Sequence, residues 1–376
     1  MTMKMSAAAL LLALGSTAFA APVEVKIGFA GPLTGPQAHY GKDFQNGVQL
    51  AVEEVNASKP TIGGKEVKFV LLAEDDQADP RSGTVVAQRL VDDNIAGMLG
   101  HFNSGTTIPA SKIYARAGIP QIAMATAPAY TEQGFKTTFR MMTSDTQQGS
   151  VVGSYAVGKL GFKKIAVIDD RTAYGQGLAN EFEKAAKAAG ATIVAREFTT
   201  DKSVDFRAIL TKLKAQAPQA IFYGGSEVQA APMARQIKEL GISATLISGE
   251  MVKSDNFIKL AGDAAEGVIA SLAGLPIEQM PGGAAYVAKY EKRFGAKVET
   301  YSPYAYDGAM AMFMAMKKAD SVDPAKYLPA LAATQLQGVT TSRLGYDAKG
   351  DLKEGGITVY KVVKGKWEAM ESIGGK

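Results

Sequence analysis

Hydrophobic positions along the chain follow two alternating periods. Short apolar runs rich in β-branched residues are each followed by a stretch in which apolar positions recur three and four residues apart. This alternation marks βα units stacked into parallel sheets. It predicts strands at 23–29, 67–72, 96–99, 120–123, 165–168, 192–198, 220–223, 244–247 and 268–270, with helices between them. Phe44, Val48, Ala51, Val52 and Val55 form one helical stripe, and Leu178, Phe182, Ala185, Ala186 and Ala189 repeat its spacing. Phe206, Ile209, Leu210 and Leu213 mark a third such helix, while Gly190 and Gly241 stand where a helix end asks for a left-handed residue.

The series breaks once and restarts. A strand-like run at 136–142 leads through Thr143-Ser144-Asp145 into a new helix, and a fresh βα series begins at Lys164. After Ser271 a Pro/Gly-rich stretch at 275–283 gives way to helices through 333, with strands returning only at 357–363 and 366–370. A chain that leaves one sheet, builds a second and returns makes discontinuous lobes. The expected fold is α/β, with two Rossmann-like lobes whose parallel central sheets are joined by a three-strand hinge. Residues 21–144 plus about 274–355 would form lobe 1, and 145–273 plus about 356–376 lobe 2. Hinged lobes enclose a cleft.

Composition narrows the setting. The 376 residues are 47% hydrophobic, enough for more than one core. Residues 1–20 read as a cleavable secretory signal, with Lys4, an apolar run at 7–14 and the small-x-small site Ala18-Phe19-Ala20. That run is too short to span a bilayer, so an exported, soluble mature protein is expected. The absence of cysteine excludes a disulfide framework, a thiolate metal site, a cysteine nucleophile and a lipid-modified cysteine. A net charge of +4 with the two signs intermixed gives no argument for nucleic acid.

Catalytic and cofactor motifs are incomplete. Gly35 to Lys42 has five residues between its glycines where a phosphate loop has four, and Asp43 stands where Ser or Thr would hold magnesium. The run Tyr174-Gly175-Gln176-Gly177-Leu178-Ala179-Asn180 lacks the third glycine of the dinucleotide fingerprint and reads as a tight strand-to-helix turn. With only His39 and His101, there is no HExxH pair, and no G-x-S-x-G elbow occurs. Asp75-Asp76 reads as loop capping, and Met310, Met312, Met314 and Met316 as helix packing. No enzyme, metal or cofactor is expected.

Polar and aromatic residues instead gather in the loops after the strands, where open α/β sheets bind ligands. His39 and Tyr40 follow the first strand; Phe102, Asn103, Ser104, Thr106 and Thr107 follow the third; Met124, Ala125 and Thr126 follow the fourth. From the second lobe come Tyr174, Ser226, Glu227 and Glu250. Ser104 opens a helix, so its hydroxyl and the helix N–H groups suit a carboxylate, whereas Glu250 suits an ammonium group. Tyr40, Phe102 and Tyr174 would wall an apolar side chain. Simple capping by Ser104 and a solvated Glu250 are the plainer alternatives. Opposed across a cleft, the two rims fit a zwitterion.

At these same residues the sequence resembles the leucine/isoleucine/valine-binding proteins of bacterial ABC transporters, which have the periplasmic binding protein type I fold. The segments are Ile27-Gly28-Phe29-Ala30-Gly31-Pro32-Leu33-Thr34-Gly35, Tyr40-Gly41, Gly100-His101-Phe102-Asn103-Ser104-Gly105-Thr106-Thr107, Ala125-Thr126-Ala127-Pro128 and Tyr174-Gly175-Gln176-Gly177. The resemblance spans nearly the whole mature chain. It implies that Ser104 and Thr126 hold the ligand carboxylate and help hold its ammonium, with backbone around Met124 assisting. It further implies that Glu250 faces the ammonium and that Tyr40, Phe102, Asn103 and Tyr174 line the side-chain pocket. A periplasmic monomer that hands a branched-chain amino acid to membrane permease subunits is then expected; another small carboxylate or an amide is the alternative ligand. Three positions depart from the family: Asn103 where a disulfide partner is common, Ser226 where tyrosine is frequent, and Met251 where a small residue is usual.

Overall fold

In the computed structural model, which describes residues 21–375, the βα alternation folds into two sheets. The expected leader lies outside the described residues. The first sheet contains β1 (Val23–Gly31), β2 (Thr61–Ile62), β3 (Lys65–Asp75), β4 (Gly97–Gly100), β5 (Gln121–Ala123) and β6 (Thr138–Arg140), in the order β2-β3-β1-β4-β5-β6. The second contains β7 (Lys164–Asp169), β8 (Thr192–Phe198), β9 (Ala220–Gly224), β10 (Thr245–Ser248), β11 (Ile269–Leu272), β12 (Ile357–Val363) and β13 (Lys366–Ile373), in the order β13-β12-β11-β10-β9-β7-β8. Both sheets are parallel through their centres and antiparallel at one edge, where β2 pairs β3 and where β12 pairs β11 and β13. The expected parallel central sheets are present, each extended by an antiparallel edge. A two-residue strand before the Gly63-Gly64 turn carries no readable period, and a chain returning through β12 and β13 can close only as a hairpin.

Helices cover the faces. They are α1 (Ala38–Ala57), α2 (Pro80–Asp92), α3 (Ser104–Arg116), α4 (Asp145–Gly158), α5 (Ala173–Ala188), α6 (Arg207–Gln216), α7 (Glu227–Glu239), α8 (Asp255–Ala261), α9 (Gly283–Phe294), α10 (Ser302–Lys318) and α11 (Pro324–Ala332). On α1 the stripe Phe44, Val48 and Ala51 is fully buried, facing β3 and α10. Burial of side chains the size of Phe44 and Val48 contributes about 1.5–3 kcal/mol each. Met312 and Met316 of α10 are also fully buried while Met314 is 47% exposed, so the methionines pack by face as their spacing implies.

In the second half, α4 and α5 lie unusually close. A Cβ on Gly149 would sit 2.8 Å from the Phe182 nitrogen, and one on Gly153 2.6 Å from the Phe182 oxygen. Phe182 then stacks on Phe222 of β9 at 3.9 Å. Gly190 and Gly241 take the positive φ expected after their helices.

The chain crosses between the sheets three times, after β6, after β11 and before β12. Hydrogen bonds tie the crossings together: Thr143 Oγ1 donates to the Gly356 carbonyl at 3.3 Å and Thr358 Oγ1 to the Gly274 carbonyl at 2.8 Å. Among the described residues, no helix is long and apolar enough to cross a membrane.

Candidate functional site

The strand order reverses around β1 and β4 in the first sheet and around β9 and β7 in the second, and the loops leaving those strands meet. Between them lies a small chamber of about 20 Å³, lined by Phe102, Asn103, Ser104, Met124, Thr126, Tyr174, Glu250, Met251 and Tyr301. In this closely packed arrangement the space is that of about one water molecule.

On the first-sheet side, the β4–α3 loop brings Ser104 to the first position of α3, with Asn103 as its N-cap. Ser104 is therefore not itself the cap. Its Oγ instead accepts the Ala127 N–H at 3.2 Å, which joins the start of α3 to the loop after β5. That loop is fixed from below by Arg140, a fully buried guanidinium. Arg140 donates to the Ala125 carbonyl, to the Ala127 carbonyl at 3.1 Å and to Thr131 Oγ1 at 3.0 Å, and pairs with Asp351 at 2.7 Å. With the Ala125 carbonyl so engaged, Thr126 and Met124 face the chamber. Free N–H groups of the first turn of α3 complete a surface suited to an anion.

The second-sheet side is acidic. Glu250 leaves β10 in a short 3₁₀ turn and is buried, accepting the Tyr174 hydroxyl at 2.9 Å and an N–H of Gln148. Gln148 is oriented by Ser271, whose hydroxyl donates to its carbonyl at 3.0 Å. Its amide nitrogen thereby faces both Glu250 and Asp145 Oδ1, the latter at 3.4 Å. Asp145 Oδ2 is buried with no hydrogen-bond partner. Burial, and then the neighbouring Glu250 charge, push Asp145 well above the usual carboxylate range, and burial raises Glu250 against the bonds from Gln148 and Tyr174. Two adjacent buried carboxylates with one orphan oxygen call for a cation. Among the described residues no group of three or more His, Cys, Asp or Glu side chains is placed to hold a metal ion.

An aromatic wall closes the third side. Tyr301 meets Phe102 edge-on at 4.7 Å and 87°, and Tyr40 edge-on at 5.4 Å and 86°. Tyr301 is held by Asp43, whose carboxylate accepts the N–H groups of Thr300, Tyr301 and Ser302 at the start of α10.

Of the residues expected at the site, Phe102, Asn103, Ser104, Met124, Thr126, Tyr174 and Glu250 line the chamber. Tyr40, Ala125 and Ser226 stand outside its wall. Tyr40 stacks behind Phe102 at 5.8 Å and 14° and reaches across the cleft, donating to Glu227 at 2.7 Å and to the Met251 carbonyl at 3.0 Å. Ser226 lines the outer cleft, where its hydroxyl donates to Gln229 at 2.7 Å. Buried Glu227 collects further donors: Ser254, Asn256 at 2.6 Å, and His39, whose Nε2 lies 3.0 Å away but off the line of a straight hydrogen bond. These donors hold Glu227 below the usual carboxylate range although burial opposes them. Asp145, Gln148, Arg140 and Tyr301 were not singled out from the sequence.

Comparison with known proteins accords with the two-sheet α/β fold. A family model described as periplasmic binding protein matches residues 24–366. A Leu/Ile/Val-binding protein homologue of Brucella abortus is 37% identical over 360 residues, covering 96% of this chain and 95% of the relative. The substrate-binding protein of a branched-chain amino acid transporter from Streptococcus pneumoniae, solved with isoleucine, superimposes with a TM-score of 0.82 at 25% identity over 93% of this chain and 99% of that one. A solute-binding protein from Rhodopseudomonas palustris, solved with 3,4-dihydroxybenzoic acid, reaches 0.80 at 25% identity over 94% and 98%.

Proposed function

Since the chain belongs to the periplasmic binding protein family, we propose that it is the exported solute-binding component of an ABC importer and that its ligand is a small aliphatic amino acid, leucine, isoleucine or valine. The observation that carries the choice of a zwitterion is the Asp145–Glu250 pair with its orphan oxygen, opposite the helix start at Ser104. An α-carboxylate held by Ser104, Thr126 and the first turn of α3 leaves its ammonium group facing those two acids. Phe102, Tyr301, Met124 and Met251 surround the side chain. The ligand closes the lobes about the three crossings, and the closed form is presented to permease subunits at the periplasmic face of the membrane.

The relative solved with an aromatic acid supplies the competing reading, a mono-carboxylate ligand. Calorimetric titration with leucine, isoleucine, valine and benzoate separates the two. Binding of the amino acids should be lost or weakened at least a hundredfold in Glu250→Gln, since removing one partner of a buried charge pair costs about 3–5 kcal/mol. Tight benzoate binding that ignores Glu250→Gln, with no response to the amino acids, would overturn the proposal.

A further inference from the structure

The ligand chamber is separated from a far larger space by a thin partition. An outer cleft of about 710 Å³ runs between the lobes, and it shares Asn103, Tyr174 and Met251 with the chamber. Two of these three side chains are tied in place. Asn103 donates through Nδ2 to Gln37 at 2.8 Å, and the Tyr174 hydroxyl donates to Glu250 at 2.9 Å. The side chain of Met251 has no polar tie. Only its backbone is held, through the carbonyl that accepts the Tyr40 hydroxyl at 3.0 Å.

The rest of the apolar wall does not border the cleft. Phe102 and Tyr301 interlock edge to face with Tyr40 behind them, and Met124, the other unbranched side chain, lines the chamber but not the outer cleft. Met251 is 5% exposed, so its unbranched thioether fills the gap between chamber and cleft. An unbranched side chain with three rotatable bonds adapts more readily than any branched or aromatic neighbour.

We infer that Met251 is the specificity-determining partition of the site: its side chain sets the longest ligand side chain that the closed protein accepts. The inference rests on the amino-acid reading above, because the head-group contacts of Ser104, Thr126 and Glu250 fix where the ligand side chain begins. A side chain longer than the chamber must displace Met251 to enter the cleft. A shorter one leaves it in place.

The test is a calorimetric titration of a homologous series of linear L-amino acids, from alanine through norvaline and norleucine to 2-aminooctanoic acid, against the wild type, Met251→Ala and Met251→Phe. Wild-type affinity should fall at least tenfold beyond a definite chain length. Met251→Ala should move that length upward by one or more methylene groups, and Met251→Phe should move it downward, while alanine, which ends short of the partition, changes less than threefold. The second variant keeps the test decisive if the first is unstable. A cut-off that stays at the same length in every variant that folds, or a uniform loss across the series, would overturn the partition and leave the amino-acid reading intact. Failure of the whole series to bind the wild type would sink both.

Discussion

Closure of the cleft should depend on Glu227, a residue that touches no ligand. It is fully buried beside the second sheet, and two of its donors, Tyr40 and His39, come from α1 across the cleft. Glu227→Gln keeps the shape and removes the charge. A hydrogen bond to a charged group contributes about 1.5–3 kcal/mol and one to a neutral group about 0.5–1.5. The half-exposed His39 pair adds about 0.2–1 kcal/mol. The closed state should lose roughly 1–3 kcal/mol, or 5- to 150-fold in its population, and apparent affinity falls by the same factor for every ligand. The imidazole adds a pH signature. Burial works against its charged form, but Glu227, Glu299 and Asp43 outweigh burial and raise the His39 pKa above 6.5. Once the cleft opens, the imidazole leaves Glu227 and returns toward its ordinary value. Its contribution to closure is therefore complete below about pH 6.5 and lost as pH rises through the raised value. Glu227, whose pKa is lowered, acts in the opposite sense and only at the acid end, its contribution vanishing as pH falls through the depressed value. Leucine titrations between pH 6 and 9, with small-angle scattering to follow closure, should show affinity declining with pH more steeply in the wild type than in His39→Gln, where only the buried Asp145–Glu250 pair and the ligand still titrate. An equal pH slope in His39→Gln, or wild-type affinity in Glu227→Gln, would refute this account.

Other positions should respond through stability. Arg140→Met strands the Ala125 and Ala127 carbonyls and the Asp351 carboxylate, which regains some water; a loss near the low end of about 3–5 kcal/mol is expected in chemical denaturation, with weakened ligand binding. Phe182→Ala removes the stack on Phe222 beneath the close α4–α5 contact and should cost about 3–5 kcal/mol by the same measurement. Gly274→Ala would place a Cβ 1.5 Å from the Tyr304 hydroxyl at the hinge, an overpacking cost of about 1–3 kcal/mol. The double variant with Tyr304→Phe should recover part of that loss, since the ring Cζ would still lie 2.6 Å from the added Cβ, and equal melting temperatures for single and double variants would exclude the hydroxyl clash as its cause.

How much of this was legible in the sequence depended on how far apart the interacting residues lie. Strands such as Thr192–Phe198 and Ile357–Val363 and the buried stripe of α1 follow from local period, and both kinds of element were read within a residue or two. The loop residues Ser104, Thr126 and Glu250 were readable because strand ends are where such sheets bind. Asp145 looked like an ordinary acid opening a helix after Ser144, and only its burial beside Glu250 reveals otherwise. Arg140 sat within a strand-like run with its partner Asp351 separated by 211 positions, so no local pattern announced the pair. Tyr301 lies in the stretch read only as helices through 333, and the Asp43 carboxylate that positions it is 258 residues away in the sequence. Contacts made across the cleft are the least legible kind: Tyr40 and Glu227 are 187 positions apart and on different elements.

The distribution of charge between the lobes explains why a zwitterion, rather than any small acid, should drive closure. Ser104, Thr126 and the start of α3 belong to the first sheet. Asp145 and Gln148, on α4 packed against α5, belong with Glu250 to the second. The two surfaces meet at Asp145, whose N–H donates to the Thr126 carbonyl at 2.8 Å, while Glu250 and Gln148 approach from the second sheet alone. An isolated carboxylate satisfies the first lobe, but closing over it brings the Asp145–Glu250 pair toward a second negative charge in a site from which water is excluded. Like charges held a few ångströms apart at an effective dielectric near 20 repel by several kcal/mol. An amine alone leaves the helix start unsatisfied. A ligand bearing both groups offers each lobe the opposite charge, so its binding energy is realised only when the lobes meet. Closure then reports that both ends of the ligand are present, which is the discrimination an importer needs from the protein that feeds it.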